Sequence, residues 1–319
     1  MLIFRLKKMD NCLKSAVVTG ADGFIGRCMV EELLHQNYQV YAIGIDEHKL
    51  DYLKCEKLHF YKAFFEEYFN LEKLLPKGIT FFFHFAWNGV FGESFKDYEL
   101  QLSNCKFSCD ALMLSKKIGC KKFILASTIN TLETRNYIGK CGIEPRYTNI
   151  YATSKICAEM ICKTLAFQNG IEFNCGLIAM VYGENNGSNM VPNVVMRNLL
   201  ANKESNLISR DILYDLIYVR DVARMFIAIA EKGINQKTYY VGHSQLSTFG
   251  ELFEMIKEVI NPKGILNFGV YPGTTFIDYS LIGVSDLEKD TGCLPIYDFK
   301  KSILDTAKWL ENENRKEKK

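Results

Sequence analysis

The chain has 319 residues, 48% of them hydrophobic, enough for a large α/β unit with a smaller one attached and a packed core. Its formal charge is only +2, with acidic and basic residues interspersed. Nucleic-acid and membrane surfaces are therefore not expected, and the partner should be a small molecule. Eleven cysteines are scattered without a C-x-x-C pair or a Cys/His cluster, which argues against a disulfide framework or a metal site. Reduced thiols in a cytoplasmic protein are the expectation. No stretch reaches the roughly 18 to 20 apolar residues of a membrane span, and the apolar run in residues 1–8 is too short for an export signal. Met9 is a candidate alternative start, which N-terminal sequencing would test.

From Ser15 onward, short β-branched and aromatic runs alternate with amphipathic stretches, the pattern of a parallel sheet with crossover helices. The spacing predicts strands over 15–19, 39–43, 59–61, 80–85, 122–126 and 173–178, and helices over 25–36, 70–75, 98–118 and 151–168. After Tyr182-Gly183 the rhythm changes, and a loop rich in Asn and Gly over 184–189 leads into a helix and mixed elements. Amphipathic helices are expected over 250–260 and 299–310. Residues 9–182 thus read as a doubly wound α/β domain, and 183–311 mainly as a smaller α/β substrate-binding subdomain with segments returning to the sheet. Residues 312–319 read as a charged tail that frays.

The first strand runs directly into Gly20-Ala21-Asp22-Gly23-Phe24-Ile25-Gly26 and then an amphipathic helix. This strand-turn-helix setting is what a dinucleotide-binding Rossmann turn requires. Gly20 permits the tight turn, Gly23 lets backbone approach a pyrophosphate, and Gly26 lets the helix pack on the strand. Phe24 and Ile25 open the helix, whose free N–H groups receive the phosphate. An acidic residue some 20 positions on selects the ribose of NAD, but here that position is Gly44, with Asp46 two residues later and Lys49 close by. Asp46 reads either as an NAD selector or as a solvated loop carboxylate, so NAD and NADP both stay open.

Downstream, Tyr151 and Lys155 stand four residues apart, on one helical face. A nearby ammonium and the positive ring of an oxidised nicotinamide are expected to lower the tyrosine pKa from about 10 towards the working range. Tyr151 is then placed to exchange a proton with a substrate hydroxyl or ketone.

With the glycine turn and the strand end Leu125-Ala126-Ser127-Thr128, this pair resembles the extended short-chain dehydrogenase/reductase family, in particular its nucleotide-sugar epimerases, dehydratases and ketoreductases. Further matches are Phe83-His84-Phe85-Ala86-Trp87, Val181-Tyr182-Gly183, the segment from Asp215 to Ala223, and Asp290-Thr291-Gly292. The resemblance implies that Tyr151 is the acid/base, that Lys155 binds the nicotinamide ribose, and that Thr128 hydrogen-bonds the reacting oxygen. It places Ser127 beside the nicotinamide, and Phe85, Ala86 and Trp87 along the cofactor cleft. Trp87 replaces a small residue and reads as a substrate contact or as core packing. His84 reads as a satisfied core residue. Asn130, Met180 and Asn189 are substrate-binding candidates.

Two departures matter. The Asp-Glu pair that dehydratases carry after the catalytic Thr is Ile129-Asn130 here, which disfavours dehydration. The arginines with which many relatives grip a nucleotide diphosphate are replaced by Tyr214 and by the segment Tyr271-Pro272-Gly273-Thr274, leaving Arg197 or Arg210 as candidates to substitute. The expected activity is that of an NAD(P)-dependent nucleotide-sugar reductase acting on a 4-keto group, as in deoxysugar and polysaccharide biosynthesis, a reading that favours NADPH. The region from Leu266 to Pro295 is loosely similar to CDP-abequose-type ketoreductases. Alternatives are a 4-epimerase with tightly held NAD, and a cofactor-sensing regulator without chemistry. By analogy with relatives, helices 98–118 and 151–168 are expected to form a homodimer interface.

Overall fold

The computed structural model describes residues 14–142, 144–146, 148–272 and 277–316. The candidate start Met9, the Gly273-Thr274 pair and the last three residues of the tail lie outside them. In chain order the first half comprises β1 (Ser15–Thr19), α1 (Phe24–His35), β2 (Gln39–Gly44), β3 (Leu58–Lys62), β4 (Phe81–His84), α2 (Tyr98–Lys117), β5 (Lys122–Thr128), α3 (Asn130–Tyr137), α4 (Thr148–Asn169) and β6 (Glu172–Ile178). There follow β7 (Met180–Tyr182), α5 (Val191–Leu200), β8 (Leu216–Tyr218), α6 (Val219–Lys232), β9 (Thr238–Val241), α7 (Phe249–Ile260), α8 (Asp286–Thr291) and α9 (Phe299–Lys316).

Seven of these strands form one parallel sheet in the order β9-β6-β5-β4-β1-β2-β3. Strands β1, β4, β5 and β6 are buried nearly throughout, so they read as continuous apolar runs rather than alternating ones. Chain order reverses between β1 and β4, and the loops leaving these two strands therefore diverge and leave a crevice at the carboxyl edge of the sheet. A Cβ on Gly20 would lie 2.9 Å from the backbone of Ala86, so the two loops touch at the floor of that crevice. Helices α1 and α6 pack together, as do α2 and α4, and α5, α7 and α9 form a cluster of their own. Strand β7 pairs with β8 in parallel as a separate two-stranded sheet, with Met180 opposite Leu216.

The six predicted strands are all present, within two residues at either end. No bounds were predicted for the seventh strand, Thr238–Val241, or for α6 within the region expected to return segments to the sheet; Tyr239, Tyr240 and Val241 are fully buried. Residues 183–311 thus return α6, β9 and α8 to the main sheet, and one apolar core runs without a break from Ala16 to Leu310. The predicted helix over 70–75 is instead a 3-10 segment, Phe65–Lys73. The charged tail is also corrected: α9 continues to Lys316, with Arg315 paired to Glu311 one turn back, because Glu, Lys and Arg are good helix formers whose charges pair at that spacing. The described cysteines are free thiols. Among the described residues no helix is long and apolar enough to cross a membrane, and no group of three or more His, Cys, Asp or Glu is placed to hold a metal ion.

Candidate active site

The crevice opens into a cleft of about 690 Å³ whose wall is built from the glycine turn, the ends of β2, β4, β5 and β6, and the start of α4. Gly20 has φ +66°, a region closed to most side chains, and its carbonyl accepts the Gly23 N–H at 2.9 Å to complete the turn. A Cβ on Gly26 would lie 2.0 Å from that same carbonyl oxygen. The N-cap of α1 is Gly23, which has no side chain to satisfy the first-turn N–H groups. Those donors face a cradle that only glycine leaves open, and the turn fits a pyrophosphate.

At the end of β4, His84 is 1% exposed and fully bonded. Its Nδ1 lies 2.8 Å from the Thr19 hydroxyl, which also accepts the Ala86 N–H at 3.3 Å. Its Nε2 lies 3.2 Å from the Ser108 hydroxyl, which donates to the Asn104 carbonyl at 2.9 Å. Thr19 therefore donates to Nδ1, and the Nε2 proton goes to Ser108. That is a neutral imidazole, and burial, with the Lys155 charge adding to it, pushes its pKa down to about 3. His84 braces the loop that carries Phe85, Ala86 and Trp87 and has no proton to spare.

Trp87 is held by its indole N–H, which donates to Gln101 Oε1 at 2.9 Å; the amide of Gln101 in turn donates to the carbonyls of Gly89 and Ser94. One buried side chain thus positions both Trp87 and the loop bearing Phe95. These two rings flank Tyr151, at centroid distances of 6.1 and 4.9 Å. Trp87 is half-buried and lines the cleft.

Tyr151 and Lys155 lie one turn apart on α4 and are 8% and 5% exposed. The Lys155 ammonium donates to the Ala126 carbonyl at 3.1 Å and sits 3.7 Å from the centroid of the Trp87 ring. Burial pushes its pKa down to about 7. Burial also raises the Tyr151 phenol well above the ordinary tyrosine range, with the Thr128 hydroxyl pulling it back only in part. This is opposite to the expected downward shift: in the chain alone both groups lose water, and desolvation is the largest cause for each.

The folded pKa of Lys155 lies below its unfolded value, so the unfolded chain binds the extra proton between about pH 7 and 10. Stability should rise through that window and carry its full penalty below it. Lys155→Met is accordingly expected to stabilise the cofactor-free protein at pH 6 by on the order of 3 kcal/mol, with the advantage shrinking by pH 9. Urea unfolding at the two pH values checks this; an equal difference at both would sink it.

Of the other sequence candidates, Ser127, Asn130 and Met180 line the cleft with Gly20, Gly23, Phe24, Ile25, Gly26, Phe85 and Ala86. Asp46, Asn189, Arg197 and Arg210 are not on its wall. The Asp46 carboxylate accepts the His48 N–H at 3.2 Å, capping the 3-10 turn after β2. Arg197 donates to the carbonyls of Gly187 and Ser188 and to Asn189 Oδ1, so it ties down the loop before α5. Arg210 lies 5.0 Å over the Phe268 ring with Glu254 at 4.0 Å. From the same loop it is Asn186 and Met190 that reach the cleft, together with Phe95, Asp22, Lys49 and Tyr68 from elsewhere. Nothing in residue type or spacing singles these out, since the fold alone brings them together.

A glycine turn at a sheet's reversal point, with Tyr151, Thr128 and Lys155 lining the same cleft, defines a dinucleotide-dependent enzyme of the short-chain dehydrogenase type. A family model described as the NAD dependent epimerase/dehydratase family matches residues 16–242. The chain belongs to that family, and its cofactor is a nicotinamide dinucleotide of the NAD type. It is 24% identical over 278 residues to a dTDP-4-dehydro-6-deoxyglucose reductase of Escherichia coli, a match covering 82% of this chain and 86% of that protein. Its fold is similar to a UDP-N-acetylglucosamine 4-epimerase from Methanobrevibacter ruminantium, with TM-score 0.78, 24% identity, and 94% and 99% of the two chains covered. It is also similar to a UDP-glucuronic acid 4-epimerase from Bacillus cereus, whose structure holds UDP-glucuronic acid and NAD, with TM-score 0.73, 19% identity, and 94% and 99% covered.

Proposed function

We propose that this chain reduces a 4-keto group on a nucleotide-linked sugar, as a step of deoxysugar or polysaccharide biosynthesis. The observation that carries the reading is the make-up of the reacting end of the cleft: a buried phenol, Tyr151, against the Thr128 hydroxyl, with no carboxylate among the lining residues there. The acids that do line the cleft, Asp22 and Glu66, follow β1 and β3, on the dinucleotide side. Loss of water from a sugar needs an acid and a base together, whereas ketone reduction needs one hydride and one proton.

A dinucleotide held in the cleft would supply the hydride. Tyr151 gives its proton to the carbonyl oxygen, which Thr128 holds by a hydrogen bond, and the ketone becomes an alcohol. Burial suits this direction. The phenol stays protonated, and a reduced ring, being neutral, would add no positive charge to draw the proton off before the ketone arrives. Lys155 would hold the nicotinamide ribose, Ser127 would face the ring, and Trp87 and Phe95 exclude water from the phenol. Asn130, Met180, Asn186 and Met190 form the sugar side, with Arg197 and Asn189 supporting the loop behind the last two. The likeness to the Escherichia coli reductase supports the same direction.

The test is to mix the chain with a 4-keto-6-deoxy nucleotide sugar and NADH or NADPH in turn. Stoichiometric oxidation of the cofactor with appearance of the 4-hydroxy sugar is expected. A second reading, 4-epimerisation, is supported by the fold likeness to 4-epimerases. Interconversion of 4-epimers by tightly held NAD, without net cofactor consumption, would establish it and refute the reductase. The exposed Leu102 on α2 and Met160, Ile161 and Phe167 on α4 support a homodimer through these helices, which light scattering should report as twice the chain mass.

A further inference from the structure

In dinucleotide sites of this shape, a carboxylate at the end of the second strand accepts hydrogen bonds from the adenosine ribose. Here that position is Gly44, yet the space beside it is not empty. A Cβ on Gly44 would lie 2.5 Å from Oδ1 and 2.9 Å from Cγ of Asp22. A carboxylate therefore does occupy the spot, delivered from the glycine turn instead of from β2.

Asp22 is held there firmly. It is 8% exposed, and its Oδ2 accepts the N–H groups of Ile45 at 3.2 Å and Asp46 at 3.1 Å, which bridges the turn after β1 to the end of β2. Its Oδ1 accepts no hydrogen bond from the described residues, and Asp22 and Gly44 both line the cleft. Any larger residue at 44 would displace this carboxylate, and the pair Asp22/Gly44 acts as one unit.

We infer that Asp22 selects NAD over NADP: its Oδ1 accepts from the ribose hydroxyls, and its charge repels a 2′-phosphate. Of the other charged groups on this part of the wall, Glu66 has the same sign but is exposed, so water screens it and it adds little. Lys49 has the opposite sign, but it is an exposed ammonium on a flexible stem, and water screens it far more than it screens a buried, fixed carboxylate. Asp46 contributes little, being bonded to the His48 N–H and off the cleft wall. The inference rests on the family's dinucleotide site and is independent of which sugar reaction the enzyme performs.

Calorimetric titration of the full chain with NAD⁺ and NADP⁺, without sugar, tests it. The wild type should bind NAD⁺ about 100-fold more tightly than NADP⁺. Asp22→Asn keeps an oxygen for the two backbone donors and removes the charge. It should strengthen NADP⁺ binding by about tenfold and bring the preference below about tenfold. Should circular dichroism show that this variant does not fold, Asp22→Ser, with a smaller acceptor for the same donors, takes its place under the same expectation. Equal binding of the two cofactors by the wild type, or an unchanged ratio in the folded variant, overturns the inference. A wild type that binds neither cofactor overturns it together with the dinucleotide site itself, whereas failure of the sugar assay alone leaves it standing.

Discussion

Tyr151→Phe is expected to lower kcat for ketone reduction by about 10³-fold, because it removes the proton donor at the reacting end while leaving the ring's packing against Trp87 and Phe95 in place. NAD binding and thermal stability should change little, since the hydroxyl is bonded to Thr128 and carries no part of the core. A pH profile sharpens the expectation. With the phenol held above the ordinary tyrosine value of about 10, the wild-type rate of reduction should not fall from tyrosine ionisation anywhere between pH 6 and 9. Loss of the Tyr151 proton within that range, followed as a spectroscopic phenolate signal that Tyr151→Phe lacks, would contradict the assignment. So would a variant that keeps more than a tenth of the wild-type rate.

Gly26→Ala should be the most damaging single methyl group in the glycine turn. Its Cβ would lie 2.0 Å from the Gly20 carbonyl oxygen, 2.7 Å from the Gly20 carbonyl carbon and 3.0 Å from the Ala21 Cα, all backbone atoms that cannot rotate away. Helix α1 would have to lift from β1, at a cost of about 3 kcal/mol and a fall in Tm of roughly 6 °C or more. Dinucleotide affinity should fall by more than about 100-fold, because the N–H groups of the first turn leave their aim. Gly23→Ala is the contrast. It meets only the Gly20 oxygen, at 3.1 Å, and faces the cleft, so it should weaken the dinucleotide with little loss of Tm. If Gly26→Ala melts with the wild type, the packing argument is wrong.

Much of the fold was legible because its signals are local. The buried runs over 15–19 and 122–128 and the turn from Gly20 to Gly26 state their structure within a few residues. So does the Tyr151 to Lys155 spacing, since a helix places those positions on one face whatever surrounds it. The bounds of the strand Thr238–Val241 were not legible because only its pairing with β6 marks it as part of the main sheet. The tail was misjudged for the opposite reason: its composition resembles a disordered end, yet the same charges pair along a helix.

The site divides in the same way. Residue type and spacing marked the glycine turn and the Tyr151–Lys155 pair, because each of these acts through atoms close in sequence, and the family resemblance added Thr128 and the missing dehydratase carboxylates. Only the tertiary structure decided that Asn186 rather than Asn189 faces the cleft, that Arg197 and Arg210 are occupied elsewhere, and that burial raises the Tyr151 phenol instead of lowering it. It also decided which carboxylate stands beside Gly44. Asp22 and Gly44 are 22 positions apart, and their contact exists because β1 and β2 are neighbours in the sheet, a fact of strand pairing that no local pattern encodes.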